Sequence, residues 1–131
     1  MKIKVGDEFH QKIHITKEMV SQFMELSGDK NPIHFDEAYA QETQFKHCIV
    51  PGMLVAGLLS KIIGMDFPGN GSIYLGQDLK FIAPIYVNTE IEITCIVENI
   101  KREKDIYFIS NIVKNDDNKI VMEGKSVVKL I

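Results

Sequence analysis

Between Pro51 and Met65 the chain reads PGMLVAGLLSKIIGM, apolar or glycine at every position except Ser60 and Lys61. A helix with so little polar surface has no face to give to water, so it has to be enclosed nearly all round. Its fifteen residues fall short of the roughly twenty that cross a bilayer, which makes it a core helix rather than a membrane span. Whatever encloses it must come from the rest of the chain or from a second copy. Its start is also chemically marked. Pro51 suits the first turn of a helix, and Gly52 after it carries an N–H with no acceptor inside the helix. A free donor at the positive end of the helix dipole is a place for an anion or an oxyanion.

With 131 residues the chain is read as one domain, 1–131, long enough to bury roughly two-thirds of the surface its unfolded form exposes. Hydrophobic residues make up 45% and charged residues 25%, the balance of a soluble globular protein. The net charge is −3, and Arg102 is the one arginine among fifteen basic residues. Nucleic-acid surfaces lean on bidentate arginines and excess positive charge, so no nucleic-acid partner is expected. Cys48 and Cys95 match no metal or disulfide spacing and suit a reducing compartment. The opening MKIKVGDEF has no apolar signal core, and a cytoplasmic protein with no membrane partner is expected.

Taken in order, Phe9, Gln11, Ile13 and Ile15 alternate with His10, Lys12 and His14, the pattern of a strand with one wet face. His10 and His14 fall on that wet face without a third ligand, which argues against a metal site. Thr16 is placed to cap a helix carrying Val20, Phe23, Met24 and Ser27, and Gly28 to end it. After the turn Pro68-Gly69-Asn70-Gly71, alternation puts Ile73, Leu75, Gln77, Leu79 and Phe81 on one face and Tyr74, Gly76, Asp78 and Lys80 on the other. Ile91, Ile93, Cys95 and Val97 alternate with Glu90, Glu92, Thr94 and Glu98 in a second half-buried strand. A third is predicted from about Ile106 to Lys114. Beyond the turn Asn115 to Asn118, a last one sets Ile120, Met122, Val128 and Leu130 on one face. Consecutive strands on short links predict an antiparallel meander. The expected fold class is α+β, a curved antiparallel sheet wrapped around the central helix, with the first strand added at one side. A single sheet cannot cover a helix all round. A homodimer or larger homo-oligomer, with any site at the helix start shared between subunits, is therefore expected.

The segment GDKNPIHFDEAYAQET holds the polar chemistry. Asn31-Pro32 favours a turn and keeps Asp29 and His34 off a continuous helix, while Asp36 is placed to cap a short helix through Gln41. Only about sixteen residues lead from there to Pro51, so this loop and the helix start can meet. A carboxylate and an imidazole on one tight loop can hold a water between them, the pairing that general acid and base catalysis needs. The plain alternative is that Asp29 caps a turn and His34 is an exposed loop residue. Gly52 adds weight to the first, because an acid and base pair beside a free backbone N–H is the minimum for chemistry next to a carbonyl. No such weight attaches to His47 and Cys48, which are adjacent in an extended segment and point apart. Cys95 is read as core.

Three blocks, SGDKNPIHFDEAYAQETQF, IVPGMLVAGLLSKIIG and GNGSIYLGQDLKFIAPIYV, resemble in that order the MaoC-like (R)-specific enoyl-CoA hydratases, a family with the hotdog fold. The resemblance covers essentially the whole chain. Its most specific part is the hydratase motif, an aspartate and a histidine with Asn-Pro between them, which stands here as Asp29-Lys30-Asn31-Pro32-Ile33-His34. The resemblance implies that Asp29 and His34 are the catalytic pair, that the Gly52 N–H donates to the thioester oxygen, and that Asn31 belongs to the substrate-binding loop. It also implies an acyl-CoA thioester as the substrate, with no cofactor and no metal. Ser60 and Ile63, about 12 and 17 Å further along the helix at about 1.5 Å per residue, are expected with Val128 along the acyl chain. Ile63→Ala would then lengthen the chain accepted, and simple core packing is the alternative. The sequence departs from the family at Pro51, where histidine is common. Proline removes an imidazole and an N–H there but leaves the Gly52 donor. The activity implied is reversible syn hydration of trans-2-enoyl-CoA to (3R)-3-hydroxyacyl-CoA. A hotdog acyl-CoA thioesterase and a non-catalytic acyl-thioester-binding module are the other readings, and the Asp29-to-His34 motif favours the hydratase.

Overall fold

A computed structural model describes residues 2–131. The elements run β1 (Glu8–Ile15), α1 (Lys17–Ser27), a 3-10 turn (Pro32–His34), α2 (Glu37–Gln41) and α3 (Gly52–Lys61), which continues as a π-helical turn (Ile62–Asp66). Then come β2 (Ser72–Phe81), β3 (Thr89–Lys101), a second 3-10 turn (Arg102–Lys104), β4 (Ile106–Lys114) and β5 (Ile120–Leu130). The helix ends have local causes. Thr16 Oγ1 accepts from Met19 N at 3.1 Å to start α1, and Gly28, at φ 81°, ends it by donating to the Met24 carbonyl. Asp36 Oδ1 accepts from Tyr39 N at 3.1 Å and starts α2.

The strands form one antiparallel sheet in the order β1-β3-β4-β5-β2. β3, β4 and β5 are the meander that short links predict, and β1 adds to β3 at one edge as expected. β2 corrects that expectation: it pairs with β5 at the far edge, so the link from Ile82 to Asn88 carries the chain across to β3. This crossing is tied down. Val50 N donates to the Ile85 carbonyl at 2.7 Å, Val87 N to the Cys48 carbonyl at 3.2 Å and Asn88 N to the Ile15 carbonyl at 2.7 Å. Its backbone groups are thus satisfied by the approach to α3 and by the end of β1.

Leu54, Val55, Leu59, Ile62 and Ile63 attach α3 and the π-helical turn to the sheet, packing in one buried cluster with Ile91, Ile93, Val97, Ile109 and Val128. At roughly 1.5–3 kcal/mol for each fully buried side chain, these five hold the helix in place. Enclosure on every side is not found in the protomer. Met53 is 60% and Met65 65% exposed, and Gly57 and Ser60 share their open face. One sheet covers one side of a helix, and the other side of α3 stays bare.

Three strands depart from strict alternation, β3 at a bulge between Val97 and Asn99 that leaves Glu98 and Asn99 both exposed. A bulge between Tyr74 and Gly76 makes Leu75 an extra residue in β2, so Tyr74, Gln77, Leu79 and Phe81 all border the cleft beside α3. Ile73 and Leu75, expected on the same face as Gln77, are about half exposed instead. In β5 an irregularity opposite Lys114 leaves Val121 and Met122 both buried and turns Ile120 outward, against the expected pattern. No helix among the described residues is long and apolar enough to cross a membrane.

Candidate active site

Asp29, Asn31 and His34 lie on the connection between α1 and α2, which is held by its own polar groups. Asn31 N donates to Asp29 Oδ1 at 3.1 Å, and Asn31 Oδ1 accepts from Ile33 N at 3.3 Å, capping the 3-10 turn that Pro32 opens. The His34 side chain, 11% exposed, reaches the segment before α3: Nδ1 donates to the Ile49 carbonyl at 2.8 Å, and Ile49 N donates in return to the Ile33 carbonyl at 3.1 Å. With its proton committed at Nδ1, the neutral imidazole presents the lone pair of Nε2. That nitrogen faces Asp29 Oδ2 at 3.9 Å, too far for a direct hydrogen bond and close enough for one water to join the two.

Residues 48–50 pair with 85–87 and lead through Pro51 into α3, which brings the His34 turn to the helix start. Gly52 is the first residue of α3, and the Pro51 carbonyl accepts from Leu54 N at 3.0 Å. At this position the Gly52 N–H has no acceptor within the helix. Gly52 borders a cleft of about 410 Å³ shared with His34, Ile49, Met53, Phe81 and Met122. The Phe81 ring lies against the Gly52 Cα, where any added Cβ would collide with the ring carbons. Glycine is what lets the ring lie this close.

Asp29, His34 and Gly52, separated in the chain but expected to meet, are thus brought together, Asp29 through His34 and His34 on the cleft that Gly52 borders. Asn31 joins them through its cap, in a structural part. Ser60 lies elsewhere, in a second cleft of about 570 Å³ bordered also by Met53, Gly57, Tyr74, Gln77 and Phe81. Ile63 and Val128 border neither cleft and sit at 1% and 0% exposure in the core. Burial pushes the Cys48 thiol up to about 11, and its N–H donates to Glu37 Oε1 at 3.2 Å, so it is no nucleophile for His47. Cys95 is fully buried, as read from its strand.

Three features gave no usable signal in the sequence. The Ile49 carbonyl, which fixes the His34 tautomer, is a backbone group. Phe81 reads as one more inward strand residue. Behind the second cleft, Gln77 Oε1 accepts from Tyr74 Oη at 2.9 Å and from Ser126 Oγ, and Gln77 Nε2 donates to Asn111 Oδ1 at 2.8 Å. Asn111 and Ser126 are the buried polar residues of the sheet. The bulge at Leu75 puts Tyr74 and Gln77 on one side, and alternation would have separated them.

The MaoC like domain family model matches residues 2–118. An (R)-specific enoyl-CoA hydratase of Aeromonas caviae is 38% identical over 127 residues, covering 94% of this chain and 95% of that protein. A mitochondrial 3-hydroxyacyl-acyl-carrier-protein dehydratase of Solanum lycopersicum is 34% identical over 130 residues, covering 98% of this chain and 78% of that one. The solved structure of an (R)-hydratase from A. caviae, described as involved in PHA biosynthesis, superposes with a TM-score of 0.95 at 36% identity over 98% of both chains. The antiparallel sheet with its packed helix is the hotdog fold. With a family model spanning most of its length and relatives of this identity and coverage, the chain belongs to the MaoC-like domain family.

Proposed function

We propose that this chain is an (R)-specific enoyl-CoA hydratase, a hydro-lyase that adds water reversibly to a trans-2-enoyl-CoA to give the (3R)-3-hydroxyacyl-CoA. The observation that carries the proposal is the position of His34, with Nε2 turned to Asp29 Oδ2 at 3.9 Å and the ring on the cleft that Gly52 borders. A water between the carboxylate and Nε2 is oriented and deprotonated by the pair as its oxygen attacks the β-carbon. The thioester oxygen accepts from the Gly52 N–H, which holds the enolate charge as it develops. One such donor is worth about 3–4 kcal/mol in the transition state. The pair then returns a proton to the α-carbon on the face that water entered from, which makes the addition syn.

The similarity to the Aeromonas hydratase supports a CoA thioester as substrate. A second copy of the chain is proposed as the cover for the bare side of α3 and the edge of β2, where Met53, Met65, Ile73 and Leu75 are exposed. The test is loss of the conjugated enoyl absorbance of crotonyl-CoA with the wild type, Asp29→Asn and His34→Ala, followed by the configuration of the product. The wild type should give the (3R) product, and each folded variant should lose on the order of 10²–10⁴-fold in rate. Release of free thiol in place of hydration would make it a thioesterase. A wild type that leaves the conjugated thioester untouched would remove the catalytic reading.

A further inference from the structure

His34 borders two clefts. One is the cleft of about 410 Å³ that Gly52 borders, and the other, of about 280 Å³, is lined from α1 by Lys17, Val20, Ser21, Met24 and Glu25 and from the connection after it by Lys30 and His34. The two linings differ in kind. Among the described residues around the Gly52 cleft, His34 is the only side chain that carries a nitrogen or an oxygen. Around the α1 cleft Val20 and Met24 are buried, while the ammonium groups of Lys17 and Lys30, the Ser21 hydroxyl and the Glu25 carboxylate belong to exposed residues. Asp29, beside Lys30 in the chain, is not among the described residues that border the Gly52 cleft, and its side chain is 45% exposed. Its Oδ1 is held by Asn31 N at 3.1 Å, and its Oδ2 faces His34 Nε2. The imidazole thus meets the apolar cleft, and the carboxylate is open to solvent outside it. None of these residues lies on α3 or β2, the elements given to the contact with a second copy.

We propose that the α1 cleft is the water side of the site, through which the reacting water enters and leaves while the thioester stays in the cleft of Gly52. The inference rests on the hydratase reading. Hydration consumes a water and dehydration releases one, in both cases at the gap between Asp29 Oδ2 and His34 Nε2. A thioester seated at Gly52 fills the apolar cleft and closes that route. Even unfilled, its walls offer a passing water one polar side chain, whereas an ordered water takes roughly two to four polar partners. On the α1 side the hydroxyl, carboxylate and ammonium groups supply such partners in succession, from solvent to the catalytic turn. Water and thioester therefore reach the pair from different sides, and the water turns over without the acyl group having to leave.

The experiment is isotope exchange at equilibrium between crotonyl-CoA and its (3R)-3-hydroxy product, in oxygen-labelled water and with carbon-labelled crotonyl-CoA. Sucrose is added until turnover falls in proportion to viscosity, so that release of the thioester is the slow step. Labelled oxygen should then enter the hydroxy thioester severalfold faster than labelled crotonyl-CoA does, because the water exchanges many times while the thioester stays bound. Ser21→Trp, which fills the α1 cleft, should bring the two rates together, and Ser21→Ala should keep them apart. Glu25→Trp, one helical turn further along the same face, supplies the reading if Ser21→Trp does not fold. Equal rates in the wild type, or a difference that neither bulky substitution reduces, overturn the water side and leave the hydratase standing. A wild type that does not interconvert the two thioesters removes the hydratase reading and the water side with it.

Discussion

At Gly52 a single side-chain hydrogen decides whether the oxyanion donor and the cleft coexist. The donor is a backbone N–H and would survive substitution by alanine, yet the new methyl group would fall on the Phe81 ring. The obstacle is the far end of a half-exposed side chain, so the ring moves and the helix stays. Gly52→Ala is therefore expected to fold and to lose activity through a displaced cleft wall, by about 100-fold on crotonyl-CoA if the thioester shifts by an ångström. The double variant Gly52→Ala/Phe81→Ala separates this from loss of the donor. With the ring gone, the nearest obstacle to the methyl is removed, and the double variant should be more active than Gly52→Ala alone. A double variant still weaker than the single one would mean that the methyl harms the site by another route.

The elements carry the part of the structure that the sequence states most directly. The cap at Thr16, the stop at Gly28, the cap at Asp36 and the Ile106–Lys114 strand are each written in local residue types. The Asp29-to-His34 motif was legible as a turn with chemistry, because Asn31 and Pro32 declare it. What local spacing could not show is where β2 pairs. A period of two also carries no mark for the extra residue at Leu75, so Tyr74 was placed on the wrong side of its strand. Ile63 marks another limit, since an apolar residue on a helix reads the same whether it meets a substrate or a sheet. At 1% exposure within the core cluster, it should behave as core. Ile63→Ala is expected to lower unfolding free energy by about 2–5 kcal/mol in denaturant titration. A chain-length preference that stays with the wild type would leave Ile63 in the core, and a broadened one would return it to the acyl site.

For the whole molecule, the two sheet edges differ in a way that bears on the proposed contact between copies. β1 shows Glu8, His10, Lys12 and His14 to solvent, the charged dressing that discourages another strand from pairing. β2 instead leaves Ile73 and Leu75 about half exposed, and α3 has a bare face with Met53, Gly57 and Met65. An isologous contact would join β2 to β2 across a two-fold axis and lay the small residues Gly57 and Ser60 where another helix can approach closely. It would also close the second cleft, which the protomer leaves open between α3 and β2. Sedimentation should therefore find a dimer at micromolar concentration. Leu75→Lys places a charge on each copy near the axis, and it should shift the protein toward monomer and weaken hydration of crotonyl-CoA together. Activity that persists unchanged in a monomeric Leu75→Lys would show that one protomer holds a complete site. A wild type that sediments as a monomer while active would remove the dimer altogether.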